Sequence, residues 1–389
     1  MRRRLVLMLA MAAGLVFCGA LANYLLNPYG AWNTALIDPI FRKPKDEHVA
    51  LPFVVRRADL ATLLVGTSRV VFGMRIDSLA ANGFVNGGIR AASLRESCAI
   101  VDAALANPHL KRIVWELDFF QFDRSWDADN PEFERRVKGG AGTVIEDALL
   151  SLAALDNGMN DLKRMMRGRA RLPDTARTEV PWPPEVICRE YAAQLGRGLV
   201  STPAAAIIQQ ISVNMPNYQN YHFSQNFWDR FRATIAAAQR RGVMVILFVP
   251  PMSEYELEVI RHAGQWDEFE RWKRRLVAIA PVIDFSGYNR LARADDYYSD
   301  VMHHKTPIGE SLLRILLGMP VPACYGIGEN LRAADIHLDT RDIDDAIVAQ
   351  NRMMREASME DSRYGRVAVR ALAEQRARTR ARQQASVLP

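Results

Sequence analysis

Near its start the chain carries an uncharged apolar stretch, Leu5–Leu26, and then changes character. Beyond Asn27, short strand-like apolar runs alternate with longer segments of helical period. Leu60–Val65, Arg112–Leu117, Val243–Val249 and Val282–Phe285 have the length and composition of strands. Leu94–Ala106 places Leu94, Cys98, Val101 and Leu105 on one helical face, and Phe227–Arg241 does the same with Phe231, Ile235 and Ala238. Strands alternating with helices predict an α/β fold whose parallel sheet is covered on both faces.

Residues 124–225 break this rhythm with a Gly139-Gly140 turn, a basic run from Lys163 to Arg171, and Pro181, Pro183 and Pro184. They are expected to form a mainly helical insertion between the strand ending at Asp118 and the one beginning near Val243. It is either a lid or wall over substrate or a packing elaboration. Residues 326–389 read as a helical, polar extension with an arginine-rich end. That end either frays in water or lies on anionic headgroups. The expected organisation is thus an anchor over 1–26, an α/β body over 27–325 and the extension over 326–389. Trp266, Phe269 and Trp272 share a helix face and are expected in the core.

Charge and cysteine usage narrow the setting. The net charge of +6 resides at the ends, in Arg2–Arg4 and in seven arginines against Asp361 and Glu374 over residues 361–389, so the rest of the chain is slightly acidic. A nucleic-acid partner, which needs basic residues spread over a docking face, is not expected. Leu5–Leu26 has roughly the 20 residues that cross a bilayer as helix. Three arginines precede it and no charge follows until Asp38, which orients its N-terminus to the cytoplasm and the body outside. A cleaved signal peptide is the competing reading, because Ala20-Leu21-Ala22 has the small-x-small form of a processing site. Outside the span, Cys98, Cys188 and Cys324 allow one disulfide, and spacing does not choose the pair. Neither the cysteines nor the adjacent His303 and His304, nor His48, His222 and His262, have zinc-ligand spacing, so no metal or cofactor is expected.

Two segments carry candidate chemistry. In Leu63-Leu64-Val65-Gly66-Thr67-Ser68-Arg69 a buried strand runs into a tight turn, which puts Ser68 at a strand's carboxyl end, where open α/β sheets bind ligands. The alternative role for Ser68 is a helix N-cap. Far along the chain, Asp300-Val301-Met302-His303 sets a carboxylate three residues before a histidine, ahead of a helix over Glu310–Leu317. That spacing lets Asp300 accept the imidazole Nδ1–H and leaves Nε2 free to take a serine proton.

Gly66-Thr67-Ser68, Asn86-Gly87-Gly88, the strand ending at Asp118 and Asp300-Val301-Met302-His303 with Pro307 and Gly309 resemble the ordered blocks of the SGNH (GDSL-type) hydrolase superfamily. Over roughly residues 27–320 they are most similar to its membrane-anchored bacterial envelope branch, which includes D-alanylation and alginate-acetylation proteins. The resemblance implies a flavodoxin-like three-layer sandwich with Ser68 as nucleophile, His303 as general base and acid, and Asp300 as its orienting residue. It implies an oxyanion hole from Ser68 N–H with Gly87 or Gly88, and an asparagine side chain from the third block. Here that block reads Trp115-Glu116-Leu117-Asp118-Phe119-Phe120 and lacks the asparagine, leaving Asn86 either as the missing donor or as a turn cap.

Arg69 either binds an anionic substrate group, pairs with Asp118 or lies on the helix surface; Asp118 is also a candidate substrate contact, and Ser253, after Val249-Pro250-Pro251-Met252, at most contacts substrate. The expectation is an enzyme of the bacterial inner membrane, single-pass with a periplasmic body. It would be an esterase or O-acyltransferase acting on an acylated glycan or lipid, with a membrane-bound acyltransferase as partner. The altered third block motivates the alternative, a weakly active or inactive scaffold in envelope assembly.

Overall fold

The computed structural model describes residues 2–32, 36–37, 46–57, 60–74, 83–127, 130–168, 184–196, 204–325, 337–338, 343–356 and 365–385. Its first half runs α1 (Arg2–Leu26), α2 (Glu47–Val54), β1 (Thr62–Val65), α3 (Ser68–Gly73), β2 (Phe84–Asn86), α4 (Leu94–Leu105) and β3 (Arg112–Glu116). Then follow α5 (Pro131–Lys138), α6 (Ala141–Val144), a π-helical turn (Ile145–Leu149), α7 (Leu152–Met166), α8 (Pro184–Gly196) and α9 (Ala204–Gln219). The second half continues with α10 (Gln225–Arg240), β4 (Met244–Val249), α11 (Glu254–His262), α12 (Trp266–Val277), β5 (Val282–Asp284), α13 (Arg290–Arg293) and α14 (Thr306–Leu316). β6 (His337–Leu338), α15 (Ile343–Glu356) and α16 (Gly365–Ala385) complete the order.

The sheet has the order β2-β1-β3-β4-β5-β6, with β1 to β5 parallel and β6 antiparallel at the edge. The order reverses between β1 and β3, so the loops leaving those strands diverge around a crevice at their carboxyl ends. Both faces are covered, because alternate residues of each strand enter different cores. Leu63, Val65, Ile113, Trp115, Leu247 and Val249 pack with Leu94, Cys98 and Val101 of α4 and with Phe231 and Ile235 of α10. Leu64, Val114 and Phe248 pack on the opposite face with Val70 of α3 and Ile308, Leu312 and Leu313 of α14. All four expected strands are present. β2 was legible only as a glycine-rich turn, since three residues carry no period.

Helix starts follow local chemistry. Ser93 and Glu96 form a reciprocal capping box at α4. Ser151, Ser224 and Ser253 cap α7, α10 and α11 through side-chain oxygens that accept first-turn amides. Trp266, Phe269 and Trp272 lie in the core on α12.

The segment between β3 and β4 is helical, and it packs on two neighbours. α7 and the π-helical turn meet the end of α1, where buried Asn23 donates to the carbonyls of Leu149 (2.8 Å) and Ser151 (3.0 Å). α9 packs on α11 and α16. Arg169–Arg171, Pro181 and Pro183 lie outside the described residues. The C-terminal segment, expected as a helical, arginine-rich extension, contains α16, whose Ala368, Ala371 and Leu372 are buried. Arg366, Arg370, Arg376, Arg378 and Arg380 of this helix are exposed. Cys188 of α8 pairs with Cys324, and Cys98 is buried and free.

Candidate active site

Ser68 stands where the crevice opens. Thr67 is extended and caps α3, so Ser68 is the first helical residue rather than the cap. The turn is tight: a Cβ on Gly66 would lie 2.3 Å from Glu116 Oε2 and 2.5 Å from Val70 Cγ2, contacts that only glycine avoids.

The loop that carries His303 arrives from the other end of the chain and is fastened on several sides. Ser299 N–H donates to His303 O (2.8 Å) and Lys305 N–H to Tyr297 O (2.8 Å), closing a short bridged loop. Its centre, Val301, is fully buried. Val301 N–H donates to Gln210 of α9 (3.2 Å), and its carbonyl accepts from the Ser253 hydroxyl. α14, which starts just beyond, lies against α3 because both present glycines there. A Cβ on Gly309 would sit 2.1 Å from Gly73 O, and one on Gly73 would sit 2.1 Å from the His304 ring. His304 fills this joint, and burial, with Arg69 nearby, pushes its imidazole down to about 3. Tyr191 and Tyr325 both donate to Glu310, which ties α14 to the region of the Cys188–Cys324 disulfide.

These constraints bring Ser68 Oγ within 2.8 Å of His303 Nε2, across 235 residues of sequence. His303 Nδ1 lies 2.8 Å and 3.0 Å from the two oxygens of Asp300. A carboxylate only accepts, so the ring proton resides on Nδ1 and Nε2 is left to accept from the serine hydroxyl. Asp300 is itself held by the amides of Met302 (2.8 Å) and His303 (2.9 Å). Burial opposes its ionisation, but the His303 ring and these amides outweigh it and keep the carboxyl below its ordinary range. Phe72 packs edge-on against the His303 ring at 5.8 Å.

A cavity of about 190 Å³ opens on Ser68 and His303. Phe120, Trp126, Tyr218, Tyr221 and Met302 give it apolar walls, and Asp123, Asn214 and Asn217 add polar atoms. α9 therefore supplies one wall of the pocket. None of these lining residues other than Ser68 and His303 was singled out from sequence. Three of them, Asn214, Asn217 and Tyr218, share the Asn214-Met215-Pro216-Asn217-Tyr218 run on a proline-containing helix.

The remaining expected residues lie elsewhere. Arg69, at 1% exposure, points away from the pocket into a sealed cluster. Its Nε lies 3.0 Å from Asp118, its Nη2 2.5 Å from Glu256, and its Nη1 donates to Pro251 O (3.1 Å). Asp118 accepts from Thr67 Oγ1 (2.7 Å), and Glu116 accepts from Thr67 N–H (2.7 Å). Burial and the neighbouring Asp118 push the Glu116 carboxyl well above its ordinary range. Burial alone would weaken Arg69's charge, but Asp118 and Glu256 hold it firmly. Pairing with Asp118 is thus the role of Arg69 that the structure adopts, and neither residue is a substrate contact. Ser253 is also buried and serves as the cap of α11 and an anchor for Val301.

The oxyanion donors expected from Asn86, Gly87 and Gly88 are consumed as well. Gly87 N–H donates to Leu64 O (2.6 Å) and Gly88 N–H to Asn86 Oδ1 (2.9 Å). Asn86 Nδ2 donates to the carbonyls of Val70 (3.2 Å) and Met74 (3.1 Å), closing the end of α3 as a cap. Ser68 N–H, by contrast, has no acceptor among the described residues, and neither does the N–H of Ala91, which lines the pocket in a left-handed conformation (φ 54°). Among the described residues no three His, Cys, Asp or Glu side chains converge to hold a metal ion. Compared with known proteins, the chain matches no family model and no curated sequence.

Proposed function

We propose that this chain is a membrane-anchored serine esterase or O-acyltransferase of the SGNH type, acting on an acylated glycan or lipid of the cell envelope. The carrying observation is the hydrogen-bonded chain Ser68–His303–Asp300 at the mouth of an apolar-walled pocket. In this reading His303 Nε2 takes the Ser68 proton as Oγ attacks an acyl carbonyl. Asp300 holds the Nδ1–H and stabilises the imidazolium that forms. The imidazolium then protonates the departing alcohol, leaving the acyl group on Ser68. Water or an acceptor hydroxyl, deprotonated by His303, releases it. The free N–H groups of Ser68 and Ala91 are the donors available to the oxyanion, in place of the engaged Gly87 and Gly88.

The aromatic walls suit an acyl chain or a sugar face, and Asn214, Asn217 and Asp123 suit hydroxyls. The strand order, reversing beside Ser68, supports the flavodoxin-like sandwich of that superfamily. α1 is long and apolar enough to cross a bilayer. Arg2–Arg4 at its start favour a cytoplasmic N-terminus, and the Cys188–Cys324 pairing favours an oxidising compartment such as the periplasm for the body. The packing of Asn23 and Leu26 on α7 favours a retained anchor over a cleaved peptide. One observation favours a second reading, a binding scaffold with little activity: the three oxyanion donors expected from Asn86, Gly87 and Gly88 are engaged internally.

The test is covalent labelling of the full chain in detergent micelles by a fluorophosphonate probe. Labelling that disappears in Ser68→Ala and His303→Ala establishes an activated serine. A folded protein that stays unlabelled refutes the enzymatic reading and leaves the scaffold.

A further inference from the structure

The end of α1 does not leave the body as a free tether. Asn23, 2% exposed, donates to the carbonyls on either side of Leu150, and Leu26 packs its side chain against Gly158 of α7. Leu36 N–H donates to Leu25 O (2.8 Å), which brings a second segment to the same level. Tyr24 stacks on Trp32 with centroids 5.2 Å apart, and the Trp32 indole donates to Tyr24 O. Paired aromatic side chains at the end of an apolar helix are the usual occupants of a membrane–water interface.

At this level the body shows its apolar side chains to the outside. Leu150 is 51%, Leu152 82%, Ile145 48% and Leu36 62% exposed. α7 continues the feature, with its exposed stripe running Leu152, Asp156, Met159, Lys163 and Met166 while Ala154, Gly158 and Asp161 face inward. Exposed Arg167 follows Met166. Leucines at such exposure on a soluble surface have no stabilising role, whereas beside a membrane span they enter the headgroup and acyl boundary, with lysine and arginine at the phosphates.

We propose that the π-helical turn, Leu150–Leu152, Leu36 and α7 form a collar that dips about 5–10 Å into the body-side leaflet of the bilayer around α1, with phospholipid as its occupant. This rests on α1 spanning the membrane. The collar fixes the orientation of the catalytic body instead of leaving it on a flexible stalk. The insertion thereby serves two purposes: its first half holds the lipid surface, and α9 walls the pocket.

The test uses the full chain in phospholipid nanodiscs, with Cys18 replaced by serine and a single fluorophore placed by Leu152→Cys. Parallel samples carry Leu15→Cys in the middle of α1, or Val348→Cys on α15, an exposed position on a helix packed on α12. Lipids bearing a nitroxide near the headgroup are expected to extinguish the label at 152 and leave the label at 348 emitting. Lipids with a nitroxide deep in the acyl chain are expected to extinguish the label at 15. Emission at 152 that persists as at 348, with residue 15 quenched, overturns the collar and leaves the anchor standing. Persistence at both 152 and 15 overturns the anchor and the collar together.

Discussion

Ser68 and Arg69 are neighbours in sequence and belong to opposite environments. Ser68 faces a pocket and shares a hydrogen-bonded chain with His303 and Asp300, both about a quarter exposed. Arg69 faces inward to Asp118, Glu256 and, beyond them, Glu116, all within 1% of full burial. The same kinds of groups thus meet twice within a few residues. Where water and a ligand can enter, a hydroxyl beside an imidazole is a candidate for proton transfer. Where both are excluded, the charges serve each other, and their value lies in fixing the turn that presents Ser68. Thr67 joins the two, since its amide and hydroxyl bind Glu116 and Asp118 while it caps the helix of Ser68.

This contrast predicts a separation of activity from stability. Ser68→Ala and His303→Ala are expected to abolish fluorophosphonate labelling and to leave the melting temperature unchanged. Asp300→Asn should slow labelling by roughly 10³–10⁴-fold, because the imidazole loses its oriented tautomer. Comparable labelling rates for Asp300→Asn and the parent would remove Asp300 from the site.

The sealed cluster should respond the other way. Arg69→Ala leaves Asp118 and Glu256 buried without their cation and is expected to cost about 3–5 kcal/mol, read from denaturant unfolding. A variant that unfolds at the parent's denaturant concentration yet is not labelled would move Arg69 into the candidate site and break the comparison. Between the two regions, Gly309→Ala should press α14 off α3 and cost about 1–3 kcal/mol. Labelling by the folded fraction should fall with it, because the His303 loop ends at that joint.

The smallest effect is the most diagnostic. Glu116, held protonated in the fold beyond its ordinary range, binds a proton that the unfolded chain has already released. Stability should therefore be fully present below the ordinary carboxylate range and decline as pH rises through the raised range of Glu116. Glu116→Gln keeps the shape and removes that titration, so its unfolding free energy should vary less with pH over this window. Parallel pH profiles for parent and variant would show Glu116 to be ionised in the fold.

Much of this molecule is written locally. The uncharged run Leu5–Leu26 and the four main strands follow from hydrophobic period within a few residues, whereas Ser253, expected at most to contact substrate, caps α11. The pairing of Asp300 with His303 is local too, because three residues separate them and one loop suffices. The position of Ser68 at a strand end was also legible, since a strand followed by glycine must turn.

Tertiary structure alone decided the rest. The contact between Ser68 and His303 depends on α3 and α14 approaching through Gly73 and Gly309, a fit between segments more than 200 residues apart. The inward turn of Arg69, the engagement of Gly87, Gly88 and Asn86, and the choice of Cys188 with Cys324 depend equally on which surfaces meet. One pocket wall came from α9, whose sequence carries no chemical motif. Period and capping act over a turn or two of chain, whereas donors, charges and cavities are assigned only when distant segments compete for the same space.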